Sequence, residues 1–191
     1  RVTPEVTYHN VGVADLGYAS KRFSVGAGAL VESPDSPEIK DGFNHLKLSP
    51  MTMANVFAET RTFPSKSWGP RLRVGYLNTW GGESELIGPL ATNGSVFGAR
   101  TMFRQALSVS TQTLIYRSGS FGVEHGLRWI EEVSEQGTIV MTDVRFRIGD
   151  AWRVSISGDL LGSRKSGDQT DTFISRFRGN DRAAARVTYL F

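Results

Sequence analysis

The sequence predicts an all-β chain folded as an antiparallel up-and-down barrel. Three observations carry that prediction. Apolar and polar residues alternate with period two along most of the 191 residues, the spacing at which a strand sends successive side chains to opposite faces. Helical periodicity is nearly absent. The segments that break the alternation themselves alternate in length: "PSKSWG", "SGS" and "IGDAW" are short, whereas 34–50, 81–94 and 163–181 are long and rich in Gly, Pro, Asp and Ser. Antiparallel strands joined in this way place tight turns at one end and long loops at the other. "VSEQG" departs from the rule, a short turn where a loop is expected.

Eight strands account for residues 22–191. "RFSVGAGALVE" sets Phe23, Val25, Ala27, Ala29 and Val31 against Arg22, Ser24 and Glu32. "MTMANVFAETRTF" sets Ala54, Val56 and Ala58 against Asn55, Glu59 and Arg61, more weakly because Met53 and Phe57 fall on the polar side. "PRLRVGYLNTW" opposes Leu72, Val74, Tyr76 and Trp80 to Arg71 and Arg73. From Phe97 to Arg117 a single phase opposes Phe103, Leu107, Val109 and Ile115 to Arg100, Arg104, Ser108, Ser110 and Gln112, which reads as one long strand. "FGVEHGLRW" sets Phe121, Val123, Leu127 and Trp129 against Glu124 and Arg128. "VMTDVRFRI" sets Val140, Val144, Phe146 and Ile148 against Asp143, Arg145 and Arg147. "WRVSISGDL" sets Trp152, Val154, Ile156 and Leu160 against Arg153, Ser155, Ser157 and Asp159. The last stretch, "RAAARVTYLF", places Ala183, Ala185, Val187, Tyr189 and Phe191 opposite Arg186 and Thr188. "VTPEVTY" also alternates, so residues 1–21 are read as an N-terminal extension or an extra strand and residues 22–191 as the barrel domain.

The apolar face must meet either a protein core or lipid. No window approaches 18 consecutive apolar residues, which excludes a transmembrane helix. The chain has seventeen Arg but five Lys and a formal net charge of +3, without the basic cluster of a nucleic-acid binder. Cysteine is absent, which excludes disulfide and thiolate chemistry. The first residue is Arg1 rather than an initiator Met, so a mature or trimmed form is expected, with a signal peptide removed. Three features favour lipid. Trp68, Phe121, Trp152, Tyr189 and Phe191 flank the tight turns, as an interfacial aromatic belt would. The two ends are sharply unlike. The polar face carries Arg among Glu, Asp, Gly and Ser, which suits a narrow interior where charges pair.

The terminal "VTYLF", with Val187, Tyr189 and Phe191 in phase, resembles the C-terminal strand of bacterial outer-membrane β-barrels. That resemblance is to a broad class. It implies a bacterial outer-membrane location, a transmembrane barrel of even strand count and insertion by the barrel-assembly machinery, with Phe191 as part of the assembly signal. Eight strands are expected, or ten or more if further strands precede residue 1.

The functional expectation is a structural, partner-docking or narrow-pore protein rather than an enzyme, with no cofactor and no metal. Its charged interior is expected to contain Glu32, Glu59, Arg61, Arg71, Arg73, Arg100, Glu124, Arg128, Asp143, Arg145, Arg147, Arg153, Asp159 and Arg186. An eight-stranded interior is filled by its own side chains, so the lumen is expected to be mostly plugged. Arg in excess of acid leaves it positive and any conductance small and anion-preferring. Glu124→Gln is expected to strand an Arg. Arg164, Lys165, Arg176 and Arg178 surround the last long loop and are candidate lipopolysaccharide contacts. The expected partners are membrane lipid, lipopolysaccharide and other envelope proteins, with no nucleic acid. Two alternatives stand beside this reading: a lipid-A-directed barrel hydrolase and a soluble lipocalin-like binder. The hydrolase needs a His beside a Ser, and His125 on the apolar face has only Val123 and Leu127 as neighbours there, with Ser108 and Ser110 facing the other way. Gly81-Gly82 precedes no helix, so it is not read as a phosphate cradle.

Overall fold

The computed structural model describes residues 9–35, 45–61, 69–88, 101–134, 136–164 and 181–190. Among them every regular element is a strand. These are β1 (His9–Ala19), β2 (Phe23–Pro34), β3 (His45–Leu48), β4 (Met51–Arg61), β5 (Arg71–Gly81), β6 (Ser84–Ile87), β7 (Gln105–Ser118), β8 (Phe121–Glu132), β9 (Gly137–Ile148), β10 (Trp152–Ser163) and β11 (Arg182–Tyr189). Nine form one antiparallel sheet in the order β1-β2-β4-β5-β7-β8-β9-β10-β11, each beside its neighbour in sequence, and β3 pairs with β6. Long cross-strand ladders hold this meander together, eleven registered pairs between β1 and β2 and twelve between β9 and β10.

The sheet is not a closed eight-stranded barrel. Closure at eight would pair β2 with β11, but the free edge of β2 is taken along its length by β1. Residues 9–19 are thus a strand of the main sheet. Strands alternate in direction across the nine, so β1 and β11 run the same way. An all-antiparallel closure between these two edges therefore needs an odd number of additional strands. Both edge strands are exposed along their whole length.

The two faces of the sheet differ in chemistry, and their exposure varies from strand to strand: Glu124, Arg128, Arg145 and Arg147 of the polar face are exposed, and Val123, Val144 and Phe146 of the apolar face are half-buried. Registered partners share a face, which makes Ser24, Glu59, Arg73, Ser110, Arg128, Asp143, Ser157 and Arg186 members of one face, here called inner. Along β2 the polar face is the covered one and Phe23, Val25, Ala27, Ala29 and Val31 are exposed. Mid-strand residues of the outer face, Val25, Val56, Val74, Ile156 and Val187, are 41–63 % exposed. Among the described residues the buried apolar side chains are only Met51, Ala106 and Ile139.

The long stretch read as one strand from Phe97 to Arg117 begins instead at Gln105, and its phase breaks at a bulge between Leu114 and Tyr116. One extra residue in the ladder reverses the facing of everything beyond it. Ile115 takes up the slip, Tyr116 joins the outer face opposite Val123, and Arg117 turns inward opposite Gly122.

The long loops after β2 and β5 also hold structure. The β4–β5 pair continues past a kink as β3–β6, tied by Ser49 N–H to Glu83 O at 2.9 Å and Gly82 N–H to Pro50 O at 3.0 Å. Gly81 and Gly82 form the kink with φ of 71° and 74°, the left-handed region that other residues enter at a cost. A Cβ on Gly81 would collide with the Pro50 carbonyl oxygen. Gly81→Ala is expected to destabilise the fold by about 1–3 kcal/mol, from strain plus clash. Gly119→Ala, also at positive φ but with open space around it, should cost only the strain, about 1 kcal/mol. Urea unfolding of both variants is the check, and equal losses would refute the kink's role.

Candidate functional site

The inner face curls around a cavity of about 690 Å³ lined by residues from β4 through β11. Strand alternation puts the charged groups there. Glu59, Arg71, Arg73, Glu124, Arg128, Asp143, Arg145, Asp159 and Arg186 all line it. A second cavity of about 440 Å³ adjoins it at the tight-turn end, where Arg147 and Arg153 stand beside Arg145 and Glu124. Arg61 and Glu32 occupy the same face by register, opposite Arg71 and Met51. Arg100 lies outside the described residues. Among the described residues the inner face leaves open space between its side chains. A closed eight-stranded cylinder is narrow enough to be filled, and this sheet has nine strands and no closure.

Pairing is sparse. Arg145 Nε lies 2.7 Å from Asp143 Oδ2, Arg147 Nη2 lies 3.2 Å from Asp150 Oδ1, and Arg182 pairs with Asp159 across the β10–β11 ladder. His9 meets Glu32. Among the described residues Arg71, Arg128, Arg153 and Arg186 make no ion pair. Neither does Glu124, so Glu124→Gln does not break a described pair. Arg73 is held differently, 3.8 Å from the centroid of the Phe57 ring, a cation–π contact. Phe57 lies inward because Gly26, its registered partner, offers no side chain: a Cβ there would come 2.5 Å from the ring. The residue that weakened the alternation of β4 thus serves to hold a cation.

Polarity also changes with depth. Toward the long loops the inner face becomes apolar, with Leu30 beside Met53, Leu77 beside Ala106, Ile130 beside Ile139, and Leu161. All three buried apolar side chains lie at this level. Glu132 closes it. It is fully buried, with its carboxylate accepting the backbone N–H groups of Arg104 and Gln105, both at 3.0 Å, and the Ser134 hydroxyl. Thr79 Oγ1 donates to the Phe103 carbonyl at 3.0 Å, so residues 103–105 are strapped down from two sides. The inner face is thus charged toward the tight turns and, among the described residues, apolar around Glu132 toward the loops.

The outer face carries the aromatics at the tight-turn end. Trp152 and Tyr189 sit 4.9 Å apart between centroids, Tyr116 and Phe121 6.0 Å, and Tyr18 and Phe23 5.8 Å. The belt read from the sequence lacks Tyr116 and Tyr18, the first because of the bulge and the second because residues 1–21 are read as an extension or an extra strand outside the barrel domain. Trp68 and Phe191 lie outside the described residues, as do Lys165, Arg176 and Arg178. Arg164, at the opposite end, pairs with Glu131 at 3.2 Å. His125 is on the outer face, where its Nε2 lies 3.1 Å from Thr142 Oγ1. Among the described residues no cluster of His, Cys, Asp and Glu has the composition of a metal site. No family model, curated protein or solved structure matches the chain.

Proposed function

We propose that the chain forms a transmembrane β-barrel of the bacterial outer membrane, of ten or more strands once closed, with a structural, partner-docking or narrow-pore role and an Arg-rich interior. It works without a catalytic centre. The observation that carries this reading is the exposed apolar face: Val25, Val56, Val74, Ile156 and Val187 lie open on it, backed by a polar face, with three buried apolar side chains among the described residues. A sheet in water would expose the wrong face, whereas in a bilayer the outer face is solvated by acyl chains. The aromatic pairs at the tight-turn end sit where an interfacial belt would lie. A soluble lipocalin-like barrel would carry its apolar face inside. A hydrolase would need a carboxylate to orient His125 beside a hydroxyl nucleophile; the Thr142 hydroxyl lies 3.1 Å from its Nε2, but among the described residues no carboxylate bonds the ring.

The test is tryptophan quenching by lipids brominated on their acyl chains. Trp80, Trp129 and Trp152 are all on the outer face by register. Reconstituted protein is expected to lose much of its emission in brominated vesicles and none in ordinary ones. A protein that stays soluble and unquenched without detergent sinks the proposal.

A further inference from the structure

We infer that the tight-turn mouth of the inner face is a binding site for a small, multiply charged phosphate-type oxyanion carried in water. The inference deepens the proposed function, since it rests on reading the inner face as a water-filled interior. The cavity there has about 440 Å³, within the range of small-molecule sites. Arg117, Arg145, Arg147 and Arg153 line it, and among the described residues Glu124 is the one carboxylate in its wall. Asp143 engages Arg145, and Asp150, 93 % exposed at its side chain, engages Arg147 from outside. Arg117 and Arg153 make no ion pair among the described residues.

Two further observations argue that the cluster is built rather than incidental. The bulge between Leu114 and Tyr116 is what turns Arg117 inward; an unbroken ladder would have left it on the apolar face. Bulges re-aim side chains in this way beside functional sites. Arg153 is held in place through Nη1, which donates to the carbonyls of Trp152 at 2.9 Å and Gly149 at 3.5 Å. A guanidinium fixed by backbone loses little freedom when it binds, and its planar fork suits phosphate oxygens. The excess of cation extends deeper, since among the described residues the two adjoining cavities together present nine Arg against four carboxylates. Such a field concentrates anions at the mouth. The apolar layer at Met51, Ala106 and Ile139 lies at the far end, so the cations without an ion pair among the described residues gather on the tight-turn side.

The experiment titrates the full chain, purified in zwitterionic detergent, with sodium pyrophosphate by calorimetry. A saturable site is expected that weakens as salt rises. Arg117→Ala and Arg153→Ala should each weaken it about tenfold or more. Arg117→Lys should fall between, keeping the charge but losing the fork. Arg164→Ala, at the opposite end, should leave it unchanged. Absence of saturable binding overturns the inference, as does equal weakening by Arg164→Ala. A second arm uses phosphatidylcholine vesicles with and without phosphatidic acid, and competition by phosphatidic acid would assign the cluster to a lipid headgroup and overturn the water-borne ligand. Failure here leaves the tryptophan quenching untouched, whereas a soluble, unquenched protein that binds pyrophosphate would refute the bilayer reading alone.

Discussion

Replacing Glu132 with Ala is expected to lower the unfolding free energy by about 3–5 kcal/mol. The carboxylate is fully buried and accepts three hydrogen bonds, two of them from the backbone N–H groups of Arg104 and Gln105. Deleting it leaves those donors without an acceptor at about 1–3 kcal/mol each. It also frees the strap that holds residues 103–105 over the apolar layer. Glu132→Gln keeps one acceptor oxygen but turns an amide N–H₂ toward a backbone donor, so its loss should be about 1–3 kcal/mol. Glu124→Gln is the control: an exposed inner-face acid without an ion pair among the described residues, expected to change stability by no more than about 0.5 kcal/mol. Urea unfolding of the detergent-solubilised protein orders the three. A Glu132→Ala loss no larger than that of Glu124→Gln would remove the strap from the account.

Glu132 also marks where sequence reading stops. Two-residue alternation from Glu124 and Arg128 carries it onto the inner face, but its partners lie 28 and 27 residues away across an irregular segment, and no local pattern announces them. The two faces were legible because each strand carries its own period, and that signal needs no knowledge of the neighbours. Arg71, Arg128, Asp143 and Arg186 lie together on the inner face for that reason alone. Arg117 was misplaced because a bulge is a property of two strands in register, and "TLIYRS" reads equally well without one. The β1–β2 pairing was missed for a related cause: which edge a strand joins depends on tertiary geometry. Met53 and Phe57 looked like defects in the alternation of β4. They are instead the inner-face residues that meet, in register, Leu30 and the space left by Gly26.

Ile156→Arg should cost the inserted fold about 2–4 kcal/mol, the depth-dependent cost of a cation facing lipid at mid-strand, while Ser157→Arg one residue on should cost less than about 1 kcal/mol. The two positions are adjacent in β10 and differ only in the face they occupy. Ile156 stands opposite Val144 and Ala185 on the outer face and is 55 % exposed. Ser157 stands opposite Asp143 and Ala184, where the lining of the inner cavity offers carboxylates and room. If the outer face met water, the order would reverse. An exposed Ile would accept Arg at almost no cost, and Ser157→Arg would place a cation on what would then be the packed face. Folding yields in vesicles, titrated with urea for both variants, therefore read the solvent of each face directly. A Ser157→Arg variant that folds worse than Ile156→Arg would reverse the inside and outside assigned to this sheet and refute a transmembrane barrel built on it.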